Sequence, residues 1–490
     1  MRRISSVVVL AVFVCAPSSA SAFAKPKLGV VLVVDQMRAD YLERDASFSG
    51  GFKRLASQGA VFTQARHLHI PTETAPGHAA ISTGRLPAVH GIVANDWYVR
   101  VAGAETYCVA DAPFGLGPAH LDGPTLADGL KASDPKARVF AVSSKDRAAV
   151  ILGGRRADLA LWFDRFSGEF TTSSYYRRPA WLDAFNAKLK ASALLPVEGG
   201  RVASQTLATP ALDRAVAELV SELVRREKVG RGPGTDLLLV SFSGTDTVGH
   251  RFGTEAPEMV EQLRSLDRLL GGLLVDWSRA SKGSLVLALT ADHGAIPAPE
   301  DPMGKAMGVK RLDWDAFAAD LEKILQKRWP APRPWIVSNQ VPHLYLDRAR
   351  AEGLGLDWLS FLKEAASVLS KLEGVARVVV ADQVPVLGVD DPLAQILRRS
   401  YRPDRCGDII LIVAENYLLH DKAPGTSHGS AWLYDSHVPL VFWGRGVKAG
   451  HHDGPAAAVD LAPTFARLLG FDYAPGDGAA VRLEAQAEGH

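Results

Sequence analysis

The chain has 490 residues, of which 47% are hydrophobic and 22% are charged, and its formal net charge is +1. This composition is too apolar for a disordered protein, and the near-neutral charge argues against a protein that binds nucleic acid through its charge. The 44 Gly and 29 Pro residues are spread without a repeat, which excludes collagen-like and low-complexity chains. The length is ample for a large buried core.

The first 22 residues have the pattern of a secretory signal peptide. Arg2 and Arg3 precede the apolar run Val7–Val14, and Ala20–Ala22 matches an A-x-A cleavage site. This run is too short to span a bilayer, which needs about 20 apolar residues. We therefore expect an exported protein, secreted or periplasmic, that has no membrane span after cleavage.

Export places Cys108 and Cys406 in an oxidising compartment. The two cysteines form either one long-range disulfide or two buried thiols. Sequence alone does not establish whether they are close enough to pair, so both interpretations stay open.

Buried strands and amphipathic helices alternate along the rest of the chain. Apolar runs predict strands at Leu28–Val34, Val139–Val142, Leu237–Val240, Leu285–Leu289, Ile409–Val413 and Val438–Phe442. Helical periodicity predicts helices at Ala211–Arg226, Pro257–Trp277, Trp314–Leu325, Leu359–Leu372 and Leu461–Leu469. The alternation predicts the α/β class, with helices around a mostly parallel sheet.

A single domain is predicted to span residues 23–490, with two insertions. The stretch near 162–203 is aromatic-rich and irregular, which predicts an insertion over the core. The stretch near 297–406 resumes helices and strands and predicts a smaller cap.

Acidic and histidine side chains follow several of these strands. In a mostly parallel sheet, chemistry collects beyond the carboxyl ends of the strands. Six residues hold such positions or lie in a glycine-rich loop: Asp35, Asp246, His250, Asp292, His293 and His428. Asp and neutral His suit zinc, and two metals about 4 Å apart clamp the attacking and leaving oxygens in phosphoryl displacement. Taken singly, Asp35 also fits a turn, and Asp246 with His250 fits an i, i+4 pair on a helix.

Two threonines in the segment 70–78 are candidates for a nucleophile. Pro76 fits the first turn of a helix that runs to about Gly84, which places Thr74 at the positive end of that helix. Backbone N–H groups there favour an anion, and a metal would lower the pKa of the hydroxyl. Thr72 or Thr74 also fits a helix cap, and spacing leaves the choice between them open.

In order along the chain, these motifs resemble the alkaline phosphatase superfamily. The motifs are Asp35, T-E-T-A-P-G-H at 72–78 followed by S-T-G-R-L-P-A-V-H-G-I, D-T-V-G-H at 246–250, A-D-H-G at 291–294 and S-H-G at 427–429. Within the superfamily they resemble the branch with a threonine nucleophile. That branch includes nucleotide pyrophosphatase/phosphodiesterases and the phosphate-irrepressible bacterial alkaline phosphatases. The resemblance implies a three-layer α/β/α sandwich with cap insertions.

The resemblance also implies roles for individual residues. Thr74, directly before Ala-Pro-Gly-His, matches the nucleophile, and Asn95 matches an asparagine that donates to a phosphoryl oxygen. Two zinc ions per chain are implied, one held by Asp35, Asp292, His293 and Thr74, the other by Asp246, His250 and His428. Without the resemblance, Asn95 fits an ordinary turn. The implied substrates are small-molecule phosphate esters, with no dedicated nucleic-acid partner; the oligomeric state stays open, and a monomer is consistent with the sequence.

Lys145 and Arg147 distinguish between members of this branch. A Lys-x-Arg pair after a strand resembles the bacterial monoesterases, in which both cations contact the phosphoryl group. A monoester dianion gains more from two cations than a diester monoanion does. A solvated charged turn is the ordinary alternative. We therefore predict an exported dizinc alkaline phosphatase that forms a phosphothreonine intermediate. The alternative is a type I phosphodiesterase/nucleotide pyrophosphatase.

Overall fold

A nine-stranded sheet forms the centre of the computed structural model, which describes residues 25–419 and 423–484. From edge to edge the strands are Gly450–Ala457, Ala60–Arg66, Leu440–Gly444, Leu285–Thr290, Leu28–Val34, Asp236–Phe242, Arg138–Ser143, Leu159–Asp164 and Glu169–Thr171. Five neighbouring pairs are parallel and three are antiparallel. The predicted α/β fold with a mostly parallel sheet is confirmed.

Helices cover both faces of this sheet, which explains why its central strands are buried at every position. Leu28–Val34, Asp236–Phe242 and Leu285–Thr290 are buried throughout. One group of helices that pack together comprises Gly51–Gln58, Ala211–Arg226, Gly244–Phe252 and Pro257–Ala280. A second group comprises Thr74–Thr83, Leu126–Ser133, Asp146–Gly153 and Leu461–Leu469.

A second sheet of four strands comprises three strands of the predicted cap and the strand Ile409–Val413, which follows it in the sequence. Its order is Ile336–Ser338, His343–Leu346, Ile409–Val413 and Val375–Val380, and all pairs are antiparallel. Its helices include Trp314–Arg328, Trp358–Leu369 and Pro392–Ser400. Ile409–Val413 was expected among the main strands but lies here, because an apolar run fits the buried middle of either sheet. The boundaries of the domain and its insertions stay predictions.

The aromatic stretch that begins at Trp162 is more regular than the sequence indicated. Leu159–Asp164 pairs in parallel with Arg138–Ser143, and Glu169–Thr171 forms the edge of the central sheet. Trp162, Phe163 and Phe170 are buried there. The first part of this stretch therefore extends the sheet instead of lying over it.

Cys108 and Cys406 are separate buried thiols. Burial raises the pKa of both thiols, that of Cys406 to about 12. The sequence left open a disulfide or two buried thiols, and in the structure the two cysteines are two buried thiols. The predicted signal peptide at residues 1–22 lies outside the described residues, and within those residues no helix has the length and apolarity that a bilayer crossing needs.

Candidate active site

The ends of three adjacent strands bring the predicted acidic ligands together. Asp35 follows Leu28–Val34, Asp292 follows Leu285–Thr290, and Asp246 lies in the helix that begins just after Asp236–Phe242. All three carboxylates are buried. Their ligand atoms form two groups with histidine nitrogens, each with all atoms within 4.8 Å: Asp35 with Asp292 and His293, and Asp246 with His293 and His428.

The three predicted histidine ligands are oriented in the same way. The Nδ1 atoms of His250, His293 and His428 lie 2.9, 3.0 and 2.7 Å from the backbone carbonyl oxygens of Thr426, Gly294 and Thr72. A proton on Nδ1 donated to a carbonyl leaves Nε2 as the ligating atom, which is the usual arrangement of metal-binding histidines. His250 Nε2 lies 3.1 Å from Asp246 Oδ1, so these two residues form both a helix pair and part of the site.

The donor atoms fit metal ions. Asp35 Oδ1 and His293 Nε2 are buried, form no hydrogen bond within the described part of the chain, and lie 3.5 Å apart. Burial and repulsion by Asp246 and Asp292 raise the pKa of Asp35 well above its usual value. Burial also opposes ionisation of Asp246, but nearby Lys145 and His250 bring its pKa well below the usual value. Three buried carboxylates at such short range favour divalent cations as counter-charge.

Thr74 is the threonine whose hydroxyl faces this site. It begins the helix Thr74–Thr83, which ends at Gly84 in the left-handed conformation, as the sequence indicated. Thr74 Oγ1 accepts hydrogen bonds from Lys145 Nζ at 3.2 Å and Arg147 Nη2 at 3.3 Å. The hydroxyl of Thr72 instead donates to the backbone carbonyl of Ser430 at 2.9 Å.

Asn95 lies against the start of the same helix. Its side-chain oxygen accepts a hydrogen bond from the N–H of Ala75 at 2.9 Å, which leaves its amide nitrogen as the end that can donate to a substrate. The backbone N–H of Asn95 donates to Glu73 Oε2 at 2.9 Å. Burial raises the pKa of Glu73 to about 7. Glu73 therefore links the segment that contains Thr74 to Asn95.

Lys145 directly precedes the helix Asp146–Gly153, which follows the strand Arg138–Ser143, and Arg147 lies in its first turn. Lys145 Nζ lies 2.5 Å from Asp35 Oδ2 and 2.6 Å from Asp246 Oδ2. Arg147 donates to Tyr107 Oη at 3.4 Å, and Tyr107 in turn donates to Asp146 at 2.5 Å. The ordinary alternative, a solvated turn, does not apply, because both cations contact the site.

A cavity of about 730 Å³ opens beside these two cations. Its aromatic lining comes from the edge of the central sheet and the loops near it: Tyr107, Phe114, Trp162, Phe163 and Phe166. Thr247, next to Asp246, also lines it. The cavity thus extends from the charged site to these five aromatic side chains.

The structure adds residues that the sequence analysis did not assign. His78 Nδ1 lies 3.2 Å from Asp292 Oδ2, and its Nε2 lies 2.9 Å from Ser241 Oγ. Gln36 contacts both Asp246 and Asp292. The sequence could have indicated His78, because it lies four residues after Thr74 on the same predicted helix. For Gln36 the only indication was that it directly follows Asp35.

Comparison with known proteins identifies the family. A profile of the family "Type I phosphodiesterase / nucleotide pyrophosphatase" matches residues 29–437. The chain belongs to this family. The resemblance found in the motifs is thereby confirmed.

Four of the curated relatives that match this chain over more than 90% of its length are named bacterial alkaline phosphatases. The chain is 31% identical to alkaline phosphatase PafA of Elizabethkingia meningoseptica, over 93% of this chain and 94% of that protein. It is 30% identical to alkaline phosphatase PhoK of Sphingomonas sp., over 91% and 88% of the two chains. The crystal structure of wild-type PafA superposes with a TM-score of 0.86 at 29% identity, covering 94% of this chain and 98% of that one.

Proposed function

We propose that this protein is an exported alkaline phosphatase that hydrolyses phosphate monoesters with two zinc ions and Thr74 as nucleophile. The observation that carries the proposal is the contact of two cations, Lys145 and Arg147, with Thr74 Oγ1. A phosphoryl group transferred to this oxygen would have its remaining oxygens beside both cations. A monoester has one more ionisable oxygen than a diester, so this arrangement favours monoesters.

The chain's own residues account for binding and for the covalent step. Thr74 attacks phosphorus and the ester oxygen leaves, which gives phosphothreonine; water then attacks phosphorus and releases phosphate and the Thr74 hydroxyl. Asn95, Lys145 and Arg147 hold the non-transferred oxygens. The helix N-terminus at Thr74 stabilises negative charge there.

The proposed metals are held in two groups that share one edge of the sheet. Asp35, Asp292, His293 and Thr74 would hold one zinc, and Asp246, His250 and His428 the other. Mixed carboxylate and imidazole donors suit zinc. When bound, the two ions would lower the pKa of the nucleophile and stabilise the leaving oxygen. Hydrolysis of this kind needs no general acid from the protein.

In this proposal, the leaving group of the substrate binds in the cavity beside Lys145. Its wall contains Tyr107, Phe114 and Trp162, which pack well against flat or apolar groups. The proposed substrates are therefore small-molecule phosphate esters. Export to the periplasm or medium rests on the signal pattern in residues 1–22.

Type I phosphodiesterase activity is the second candidate, and the family profile favours it. The same metals and Thr74 would serve a diester, but the charges of Lys145 and Arg147 would then meet only one ionised oxygen. The two candidates therefore differ in the use of these cations and not in the nucleophile.

A side-by-side assay tests the proposal. Purified protein should hydrolyse p-nitrophenyl phosphate with a higher kcat/KM than bis-p-nitrophenyl phosphate. The Asp292→Ala and His428→Ala variants should each lose one zinc by elemental analysis, together with most of the activity. A preference for the diester would favour the second candidate, and no activity on either ester would contradict both.

A further inference from the structure

Gln36 has a backbone conformation that glutamine rarely adopts. Its φ is +62°, in the left-handed region that side chains with a Cβ disfavour. The residue is fully buried between Asp35 and the core. Strain of this kind persists only where surrounding contacts hold it, and it concentrates at functional sites.

The contacts of Gln36 reach both metal-ligand groups. Its backbone N–H donates to Asp292 Oδ1 at 3.2 Å, and its side-chain Nε2 donates to Asp246 Oδ1 at 2.9 Å. Asp292 is grouped with Asp35 and His293, whereas Asp246 is grouped with His293 and His428. One residue therefore links the two groups through two separate hydrogen bonds.

The amide of Gln36 is also tightly enclosed. Its Oε1 is buried and has no hydrogen-bond partner among the described residues. A Cβ added at Gly249 would lie 1.9 Å from this oxygen, so the helix Gly244–Phe252 approaches closely only because residue 249 is glycine. An unpaired buried oxygen and a left-handed φ both oppose folding. Stability alone thus gives no reason for a glutamine at this position.

We propose that Gln36 is a positioning residue that fixes the carboxylates of Asp246 and Asp292 for metal binding. The proposal rests on the dizinc function above. Hydrogen bonds to ligating carboxylates set their orientation, and loss of such a bond typically lowers metal affinity about 10- to 100-fold. The side-chain amide acts on the Asp246 group, and the backbone N–H acts on the Asp292 group.

The Gln36→Met variant separates these two contacts. Methionine has a similar length and keeps the backbone N–H, but it cannot donate to Asp246. In a zinc titration against a chromogenic chelator, we expect one of two zinc ions to bind about 10- to 100-fold more weakly, and the other to be little changed. Combined with Asp246→Ala, the substitution should leave the remaining zinc affinity equal to that of Asp246→Ala alone.

Asn186→Leu is the matched control for loss of a buried amide. Asn186 is buried, and its side chain forms two 2.9 Å hydrogen bonds with the backbone of Phe170 at the edge of the sheet. This variant should unfold more readily and bind both zinc ions like the wild type. If Gln36→Met does not fold, Gln36→Asn tolerates the left-handed backbone, and its shorter amide should give the same selective loss.

Two results would overturn the proposal in distinguishable ways. If Gln36→Met behaves like the control, with lower stability but unchanged affinity for both zinc ions, then Gln36 is only a packing residue. If the wild type itself binds fewer than two zinc ions, the dizinc function fails, and this role fails with it.

Discussion

Thr72 and Thr74 are separated by a single residue, yet their hydroxyl groups have different surroundings. Thr74 Oγ1 receives hydrogen bonds from two cations, and Thr72 Oγ1 donates to the carbonyl of Ser430. The carbonyl of Thr72 accepts from His428 Nδ1, so Thr72 orients a predicted ligand instead of facing the substrate.

We expect the two threonines to differ sharply in substitution experiments. Thr74→Ala should lose almost all turnover, and Thr74→Ser should keep part of it because the hydroxyl survives. Thr72→Ala should matter far less, since only a hydrogen bond to a backbone carbonyl is lost. Enzyme quenched in acid after incubation with substrate should have phosphate on the peptide that contains Thr74. Phosphate on Thr72, or an active Thr74→Ala variant, would contradict this assignment.

Much of the candidate site was accessible from the sequence, because its ligands directly follow apolar strands or lie in short motifs. Asp35, Asp246 and Asp292 converge as predicted. Gln36 was not accessible, since its left-handed φ and its bonds to residues more than 200 positions away depend on the assembled sheet. The choice between Thr72 and Thr74 likewise depends on which hydroxyl group faces Lys145 and Arg147, and the sequence does not show this.

The helix Gly244–Phe252 holds two predicted ligands, Asp246 and His250, and a distant residue caps it. Ser243 does not cap the helix with its side chain. Instead, Asp213 of the helix Ala211–Arg226 accepts from the N–H of Gly244 at 2.9 Å and from Gln262 Nε2 at 2.6 Å. Burial raises the pKa of Asp213 to about 7, although these hydrogen bonds oppose the rise.

This raised pKa predicts a pH-dependent stability. The folded state keeps a proton on Asp213 that the unfolded state releases, so the free energy of unfolding should fall as pH rises from about 4 to about 7. Asp213→Asn cannot ionise and should remove this component, which is on the order of 2–4 kcal/mol. The check is urea unfolding of both proteins at pH 5 and pH 8. A stability difference between them that is the same at both pH values would contradict the prediction.

At the level of elements, the hydrophobic pattern predicted where strands lie in the sequence. It did not predict which sheet each strand joins. The strands Leu28–Val34 and Ile409–Val413 were predicted with their observed bounds. Ile409–Val413 pairs with Val375–Val380 in the cap, although its apolar pattern equals that of a central strand. Local sequence sets burial on both faces, but the choice of neighbouring strands depends on long-range pairing.

At the scale of the whole molecule, polar contacts join the cap to the segment that follows Asn95. Arg100 pairs with Asp408 at 2.9 Å, and Glu105 accepts from Ser338 and Gln340 of the cap. These contacts come from the strand pair that follows Asn95. The cap therefore contacts the segment that directly follows Asn95.

Metal removal should affect the whole molecule as well as its activity. Zinc that binds only the folded state adds about 2.7 kcal/mol of stability at 100 times its Kd. We expect about two zinc ions per chain by elemental analysis, and loss of activity and a lower Tm after treatment with a chelator. Zinc added back should restore both. Full activity in metal-free protein, or well below one zinc per chain, would contradict the account.

The most direct test of the central claim compares ester preference in the wild type and in variants of the two cations. Each of Lys145→Ala and Arg147→Ala should lower kcat/KM for p-nitrophenyl phosphate about ten- to a hundredfold, because each removes a charge-assisted contact. Hydrolysis of bis-p-nitrophenyl phosphate should fall much less, so the double variant should show a narrowed or reversed preference for the monoester. Equal loss of both activities, or a wild type that prefers the diester, would contradict the claim that Lys145 and Arg147 make this protein a phosphomonoesterase.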